Sequence, residues 1–336
     1  MKTIKLVFIV FIVQITSIYA QTISGIVLDQ NTNQPIESVA VYFDNTTIGT
    51  STNDKGEFSI SYFEHITSPL IFSYLGYKKI SLSEYTLNKY YKVLLIEDIN
   101  TLDEVVINTN DGMPYEIKLK QFKKQFLGFS DNAKSCEILN ENDLVLTFNK
   151  QTNELSAKAI QPILIKNKNL SYIVTFEIKD FIISYHYVDI EKKQFGIKSV
   201  IYSGTSFYKP IENEPSKSIK RKRDKAYEGS VLHFMRALSK EQLEDEGYYI
   251  TKGQFKANPN EFFTVSSIEN SKTVKVNLIN RAQIFFKKRQ SVMECKNNVF
   301  YIDQYGNHSP IKDVLFGGDM GNQRVGDALP FDYVYN

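Results

Sequence analysis

The feature that most limits what this chain can become is a series of short apolar segments from Thr22 to Ile107, each cut off by turn-forming residues. Thr22 to Leu28 alternates, and Asp29 to Pro35 interrupts it with Asn and Thr. Val39-Ala40-Val41-Tyr42-Phe43 stops at Asp44-Asn45-Thr46-Thr47, and Gly49 to Thr52 leads into Asn53-Asp54-Lys55-Gly56. Glu57-Phe58-Ser59-Ile60 alternates again and Leu70-Ile71-Phe72-Ser73-Tyr74 is more fully apolar. Val93-Leu94-Leu95 and Val105-Val106-Ile107 close the series. Alternation with a period of two sends one row of side chains into a core and the next into water. Short strands at regular spacing with turns between them predict a β-sandwich or barrel. The Asn53–Gly56 turn is of hairpin type, because Gly56 can take the positive φ that other residues resist. The chain holds 23 Phe and 21 Tyr but no Trp, and Phe and Tyr favour half-buried pleated surfaces.

Several of these segments together carry a resemblance. Ile23-Ser24-Gly25-Ile26-Val27-Leu28-Asp29, Pro35-Ile36, Val39 with Val41, Gly49-Thr50, Gly56 with Phe58, and Phe72-Ser73-Tyr74-Leu75-Gly76-Tyr77 look like the carboxypeptidase-regulatory-like domain family. Leu102-Asp103-Glu104-Val105-Val106-Ile107 resembles the stretch that ends such domains in outer-membrane TonB-dependent receptors of Gram-negative bacteria. The resemblance implies a transthyretin-like β-sandwich over residues 21–107, used as an accessory or interaction module. It implies no peptidase activity, because the namesake enzymes carry this module outside their catalytic domain. Asn53 departs from the family's more usual Asp, a change confined to a turn.

Residues 1–20 read as a signal peptide. Lys2 and Lys5 supply a positive start, Leu6 to Val13 is unbroken apolar, and Ser17-Ile18-Tyr19-Ala20 ends on a small residue suited to cleavage before Gln21. That apolar run falls short of the about 20 residues a membrane span needs. Export, with the resemblance, implies the periplasm or the outer-membrane surface of a Gram-negative bacterium. The formal net charge is +2, and Lys2 and Lys5 belong to the leader. A near-neutral mature chain has no general attraction for nucleic acid. Membrane association is expected only through a partner.

Residues 108–125 read as a linker and helix, with Ile117, Phe122, Phe126 and Phe129 at helical spacing and a stop near Gly128. Residues 126–336 read as one α+β domain. β-type alternation fills Leu144 to Val200 and Phe255 to Ile302, and an amphipathic helical stretch runs from Tyr227 to Leu238 with Leu243, Gly247 placed as its stop. Phe126-Leu127-Gly128, Ala226-Tyr227-Glu228-Gly229-Ser230 and Arg324-Val325 resemble envelope proteins that carry the same sandwich, a likeness that brings no activity with it. A 22-stranded plugged barrel, at about 9–11 residues per strand, does not fit the remaining length. The fold class is therefore mainly β, a β-sandwich followed by an α+β domain.

The sequence holds no pattern that defines a catalytic, metal or cofactor site. Ser230 and His233 share a helix face, but no Gly-x-Ser-x-Gly elbow surrounds Ser230, so capping or packing is expected. Cys136 with His186 or His233 would be another nucleophile–base pair, with nothing nearby to lower the thiol pKa. His65, His186, His233 and His308 are scattered without metal-ligand spacing. Cys136 and Cys295 are the two cysteines, a candidate disulfide or two buried thiols. Lys220, Arg221, Lys222 and Arg223 are candidate polyanion contacts, against a solvated helix face. Tyr74, Tyr77, Tyr90 and Tyr91 are a candidate ligand surface. Asp319, Asp327 and Asp332 read as turn formers. The expected function is a non-catalytic binding or scaffolding role with an envelope protein or a glycan as partner. A carbohydrate-binding module is one alternative, and a hydrolase using Ser230, His233 or Cys136 is another.

Overall fold

The computed structural model describes residues 21–62, 67–87, 89–98 and 111–335. Residues 1–20, expected to be a leader, together with His65 and the Leu102–Ile107 stretch, lie outside the described residues.

Seven strands make the first unit: β1 (Thr22–Asp29), β2 (Ala40–Phe43), β3 (Gly49–Ser51), β4 (Glu57–Ser61), β5 (Leu70–Ser73), β6 (Ile80–Leu82) and β7 (Tyr90–Leu95). They form two sheets, β4-β1-β7 and β3-β2-β5-β6. Every pairing is antiparallel except β1 with β7. The alternation expected of β1 is observed, with Ile23 and Val27 facing a core that also holds Val41, Phe43, Phe58, Ile60, Leu70 and Phe72. Gly56 has φ +73° and donates its N–H to the Asn53 carbonyl. Asn53 Oδ1 accepts from the N–H groups of Lys55 and Glu57. An amide oxygen thus serves where the family more often places a carboxylate. At Gly25 a Cβ would stand 2.1 Å from the Tyr91 carbonyl oxygen, so only glycine lets β1 and β7 pair this closely.

The second unit begins with α1 (Tyr115–Leu127) and the short α2 (Asp131–Lys134), then β8 (Cys136–Ile138), β9 (Leu144–Asn149), β10 (Glu154–Ala159), β11 (Ile163–Asn167), β12 (Tyr172–Asp189) and β13 (Gln194–Pro210). The sheet order is β8-β11-β12-β10-β9, with β13 along the other edge of β12. β12 spans 18 residues, about three times a usual strand. Its first half pairs β11, its second half pairs β10, and β13 follows it throughout. α1 is no connector. Phe122 and Phe126 are wholly buried and meet Phe176, Phe181 and Tyr202 edge-on. Gly128, at φ 107°, ends the helix where the sequence predicts a stop.

Two helices follow, α3 (Lys217–Tyr227) and α4 (Val231–Ser239). The single helical stretch expected from Tyr227 is broken at Gly229, φ +72°, and restarts with Ser230 as its cap. Gly247 stops nothing; it sits in a turn well past Ser239. The third unit holds β14 (Tyr248–Lys252), β15 (Phe255–Ala257), β16 (Phe263–Ser267), β17 (Val274–Leu278), β18 (Ala282–Phe286), β19 (Arg289–Cys295), β20 (Val299–Ile302), β21 (His308–Ser309), β22 (Val314–Gly317) and the short α5 (Gly318–Gly321). Its sheets are β15-β14-β18-β19-β22 and β16-β17-β20-β21.

Residues 126–336, expected to be one domain, therefore contribute to two hydrophobic clusters. One lies under the long hairpin and the other between the two later sheets. α4 serves both, with Leu232 in the first and Phe234, Met235 and Leu238 in the second.

Candidate functional site

The first unit docks on the second through the loop after β2. Asn45 N–H donates to the Ser206 carbonyl at 2.7 Å and Tyr208 N–H to the Thr46 carbonyl at 2.9 Å. The Asp44 carboxylate accepts the Ser206 N–H, and the Tyr42 ring lies against Phe207. Lys79 pairs with Glu177 at 3.1 Å. Burial raises the Asp44 carboxyl to about 6, against the opposing pull of that N–H and of Lys79.

The C-terminal tail crosses all three units. Asp332 is hydrogen-bonded to Thr47 in the first. Phe331 N–H donates to the Asn45 carbonyl, and Tyr333 donates to Asp224 on α3. Arg236 on α4 donates to the carbonyls of Tyr305, Phe331 and Tyr333. Asp327 accepts from Ser130 and Asn132 beside α2, and Asp319 pairs with Arg289 at 3.3 Å. The three tail aspartates, expected to shape turns, are tethers between segments distant in sequence.

At this junction lies a cavity of about 210 Å³, lined among others by Asn45, Tyr202, Leu232, His308, Arg324 and Asp327. Tyr202 carries no local signal in the sequence, and Arg324 stands there only in the Arg324-Val325 phrase, with nothing to mark it as a cavity residue.

The four tyrosines proposed as one surface separate. Tyr74 and Tyr77 are neighbours, with ring centroids 5.6 Å apart, and line a shallow cleft with Asp29, Gln34 and Glu97. Tyr77 donates to Asp29, whose carboxyl is held low chiefly by the Thr32 N–H. Tyr91 instead lines another cleft with Tyr62 and Tyr85, and exposed Tyr90 borders neither. Adjacent residues on a strand face opposite ways, which is why Tyr90 and Tyr91 cannot share one surface.

The basic run is helical, and it divides. Lys217, Lys220, Arg221 and Lys225 are exposed, and Lys222 reaches Asn169. Arg223 is buried, donating to the carbonyls of Leu170 and Ser171 and lying 4.0 Å above the Tyr172 ring. It is a core arginine and offers nothing to a polyanion.

Ser230 Oγ accepts the backbone N–H of His233 and caps α4. The His233 Nδ1 accepts from Gly229 N–H and its Nε2 meets Glu246 at 3.0 Å. Burial lowers the His233 pKa. The neutral ring therefore carries its proton on Nε2 and has no lone pair aimed at Ser230. Cys136 and Cys295 are free thiols in separate clusters, one donating to the Asn132 carbonyl and the other to that of Val299. The candidate disulfide is not formed. Burial pushes the Cys136 thiol up to about 12, leaving it protonated and a poor nucleophile. Among the described residues no group of His, Cys, Asp or Glu is arranged to hold a metal ion. No described helix is long and apolar enough to cross a membrane.

The model of the CarboxypepD_reg-like domain family matches residues 23–107, the first unit and the stretch after it. Such a domain is a non-catalytic β-sandwich. No curated protein matches the chain.

Proposed function

We propose, taking a CarboxypepD_reg-like sandwich at the head of the chain as premise, that this protein is an exported, non-catalytic binding or scaffolding protein of the cell envelope. The observation that carries the reading is how the sandwich is mounted. In the β2–β5 register Phe43 faces Leu70 and Ala40 faces Ser73. The docked loop leaves from the Phe43 end, and the Tyr74–Tyr77 turn leaves from the other. Around that turn Tyr74, Leu75 and Ile96 are exposed, and the 96–98 segment is tied to it by Lys78 N–H to Ile96 and Asp98 N–H to Gly76. The sandwich is held by the Asn45 loop at one end and by Ser73 and Lys79 at Glu177 toward the other, and the large apolar side chains still exposed at the Tyr74–Tyr77 turn suit a partner there. The leader supports export to the periplasm or the outer surface.

A glycan is the second reading, favoured by the paired Tyr74 and Tyr77 rings beside Asp29 and Glu97. The test is affinity purification of tagged protein from solubilised envelopes, wild type against Tyr74→Ala/Leu75→Ser, with mass spectrometry of the prey. N-terminal sequencing of the same material should begin at Gln21. A stoichiometric envelope protein lost with the double substitution is the expected result. A prey list the substitution leaves unchanged would remove this surface from the reading, and a retained Met1 would remove export.

A further inference from the structure

The junction cavity carries a pattern of atoms that its structural duties leave unused. Arg324 donates through Nε to the Gln125 carbonyl at 3.0 Å, and through Nη1 to the carbonyls of Gln323 at 2.8 Å and Gly321. Its Nη2 donates to none of the described residues, and no carboxylate among them lies within ion-pairing distance. Asp327 takes both its hydrogen bonds, from Ser130 and Asn132, on Oδ1; Oδ2 has none. The Tyr202 hydroxyl also lacks a hydrogen bond to the described residues, although it feels the charges of both Arg324 and Asp327. None of these three atoms is sealed by protein, and all three residues line the same cavity.

Most of the remaining wall is apolar, with Leu232, Met320 and Phe331 among it. Removal from water is costly for a charge that lacks a partner. Burial already pushes the Asp327 carboxyl upward. An uncharged ligand would leave both charges uncompensated. A simple anion would meet Arg324 and be opposed by Asp327, and a simple cation would reverse the problem. A molecule bearing both signs close together answers both.

Size narrows the class further. Water occupies roughly 30 Å³ in the liquid, and an apolar cavity of about 150 Å³ takes benzene. The space of about 210 Å³ here therefore suits a molecule a little larger than a benzene ring.

We propose that the junction cavity binds a free α-amino acid with an apolar side chain, its carboxylate toward Arg324, its ammonium toward Asp327 and its side chain against Leu232, Met320 and Phe331. The Tyr202 hydroxyl supplies a further hydrogen bond to the carboxylate. Because the wall is drawn from all three units, the ligand fastens them to one another.

The test uses the purified chain with L-leucine, L-methionine and L-phenylalanine in turn, read by calorimetric titration and by melting temperature. At least one is expected to bind saturably and raise the melting temperature. For whichever binds, the amide that lacks the carboxylate and the acid that lacks the ammonium should each bind about tenfold or more weakly, the loss of a charge-assisted hydrogen bond. Failure of all three to bind, or binding of either the amide or the acid as tight as that of the parent amino acid, overturns the proposal. Arg324 also holds backbone carbonyls, so its substitution would confuse binding with folding. Tyr202→Phe avoids that difficulty, since the hydroxyl it removes has no hydrogen bond to the described residues. It should leave the melting temperature of the unliganded protein unchanged and weaken the ligand roughly 2- to 10-fold. Unchanged affinity in that variant would place the ligand elsewhere and refute the cavity assignment.

Discussion

The first and third units are both two-sheet β assemblies flanking the same central sheet, yet different forces join them to it. The third unit shares a helix with the second: α4 sends Leu232 into one hydrophobic cluster and Phe234, Met235 and Leu238 into the other. The first unit is held mainly through polar contacts: backbone hydrogen bonds around Asn45 and Ser206, the groups Asp44, Lys79 and Glu177, the tail's Asp332 on Thr47 and the third unit's Asp303 on Thr67, with the Tyr42–Phe207 rings and the packing of Tyr305 as apolar additions. Apolar burial yields a net gain of about 25 cal/mol for each Å² removed from water. A hydrogen bond formed on docking replaces one to water and nets about 1 kcal/mol. The third unit is thus fused to the centre, and the first is mounted on it.

The strongest way to break this comparison is Phe234→Ala. Phe234 is wholly buried among Tyr248, Phe263 and Phe316. Its truncation should cost about 3–5 kcal/mol, a large part of the roughly 5–15 kcal/mol that holds a typical domain folded. In urea denaturation with hydrogen exchange, protection should fall across α4, the third unit and the central sheet, while β1 to β7 keep theirs. Equal loss in the sandwich would show that it is fused as well.

A pH titration tests the mounted side. The Asp44 carboxyl sits at about 6 in the folded protein because it is buried, and Asp in an unfolded chain titrates near 3.9. The folded state therefore binds the proton more tightly. The contribution is fully present below about pH 4 and lost as pH rises through 6. Two pH units correspond to about 3 kcal/mol. Hydrogen exchange at the Ser206 and Tyr208 amides, corrected for intrinsic rate, should show docking loosen from pH 4 to pH 7. Asp44→Asn should remove that slope; a slope that persists would assign it to another group.

The same contrast explains what could be read from the sequence. The sandwich was legible because most of its strands are short, alternating and separated by turns, down to the Asn53–Gly56 hairpin; β6, three residues at Ile80–Leu82, is too short to show a pattern and was not read. α1 was legible from Ile117, Phe122 and Phe126. The division of residues 126–336 into two cores was not, because alternation names the buried face of a strand and not the sheet it joins. β12 shows the difficulty, since it pairs with three strands at once. Arg223 was misread because a run of positive charge conceals which member turns inward, and Tyr172 lies 51 residues away. The junction cavity draws on every unit, so no local window contained it.

Ser230 gives an intermediate effect. As the cap of α4, with Oγ accepting the His233 N–H at 3.0 Å, its change to alanine should cost about 1 kcal/mol. That loss should appear as a lower urea midpoint at unchanged slope. A hydrolytic activity abolished by Ser230→Ala at unchanged stability would overturn the capping assignment. The third unit would weaken in step with α4, since they share a cluster, and the sandwich would not.

The smallest expected effect is the most discriminating. Lys79 and Glu177 are about a quarter exposed, and ion pairs of this kind contribute roughly 0.2–1 kcal/mol. Lys79→Ala should therefore lower global stability by about 0.5 kcal/mol, near the limit of a denaturation curve. Its electrostatic consequence is easier to detect. The positive charge of Lys79 helps hold the Asp44 carboxyl down against burial. Removing it should move the midpoint of the docking transition to higher pH, and 1 M salt should do the same less strongly, because partly buried pairs are only partly screened. A midpoint that stays fixed in Lys79→Ala would mean that Asp44 is not the group titrating. The pH dependence of the docking would then belong to another group at the same junction.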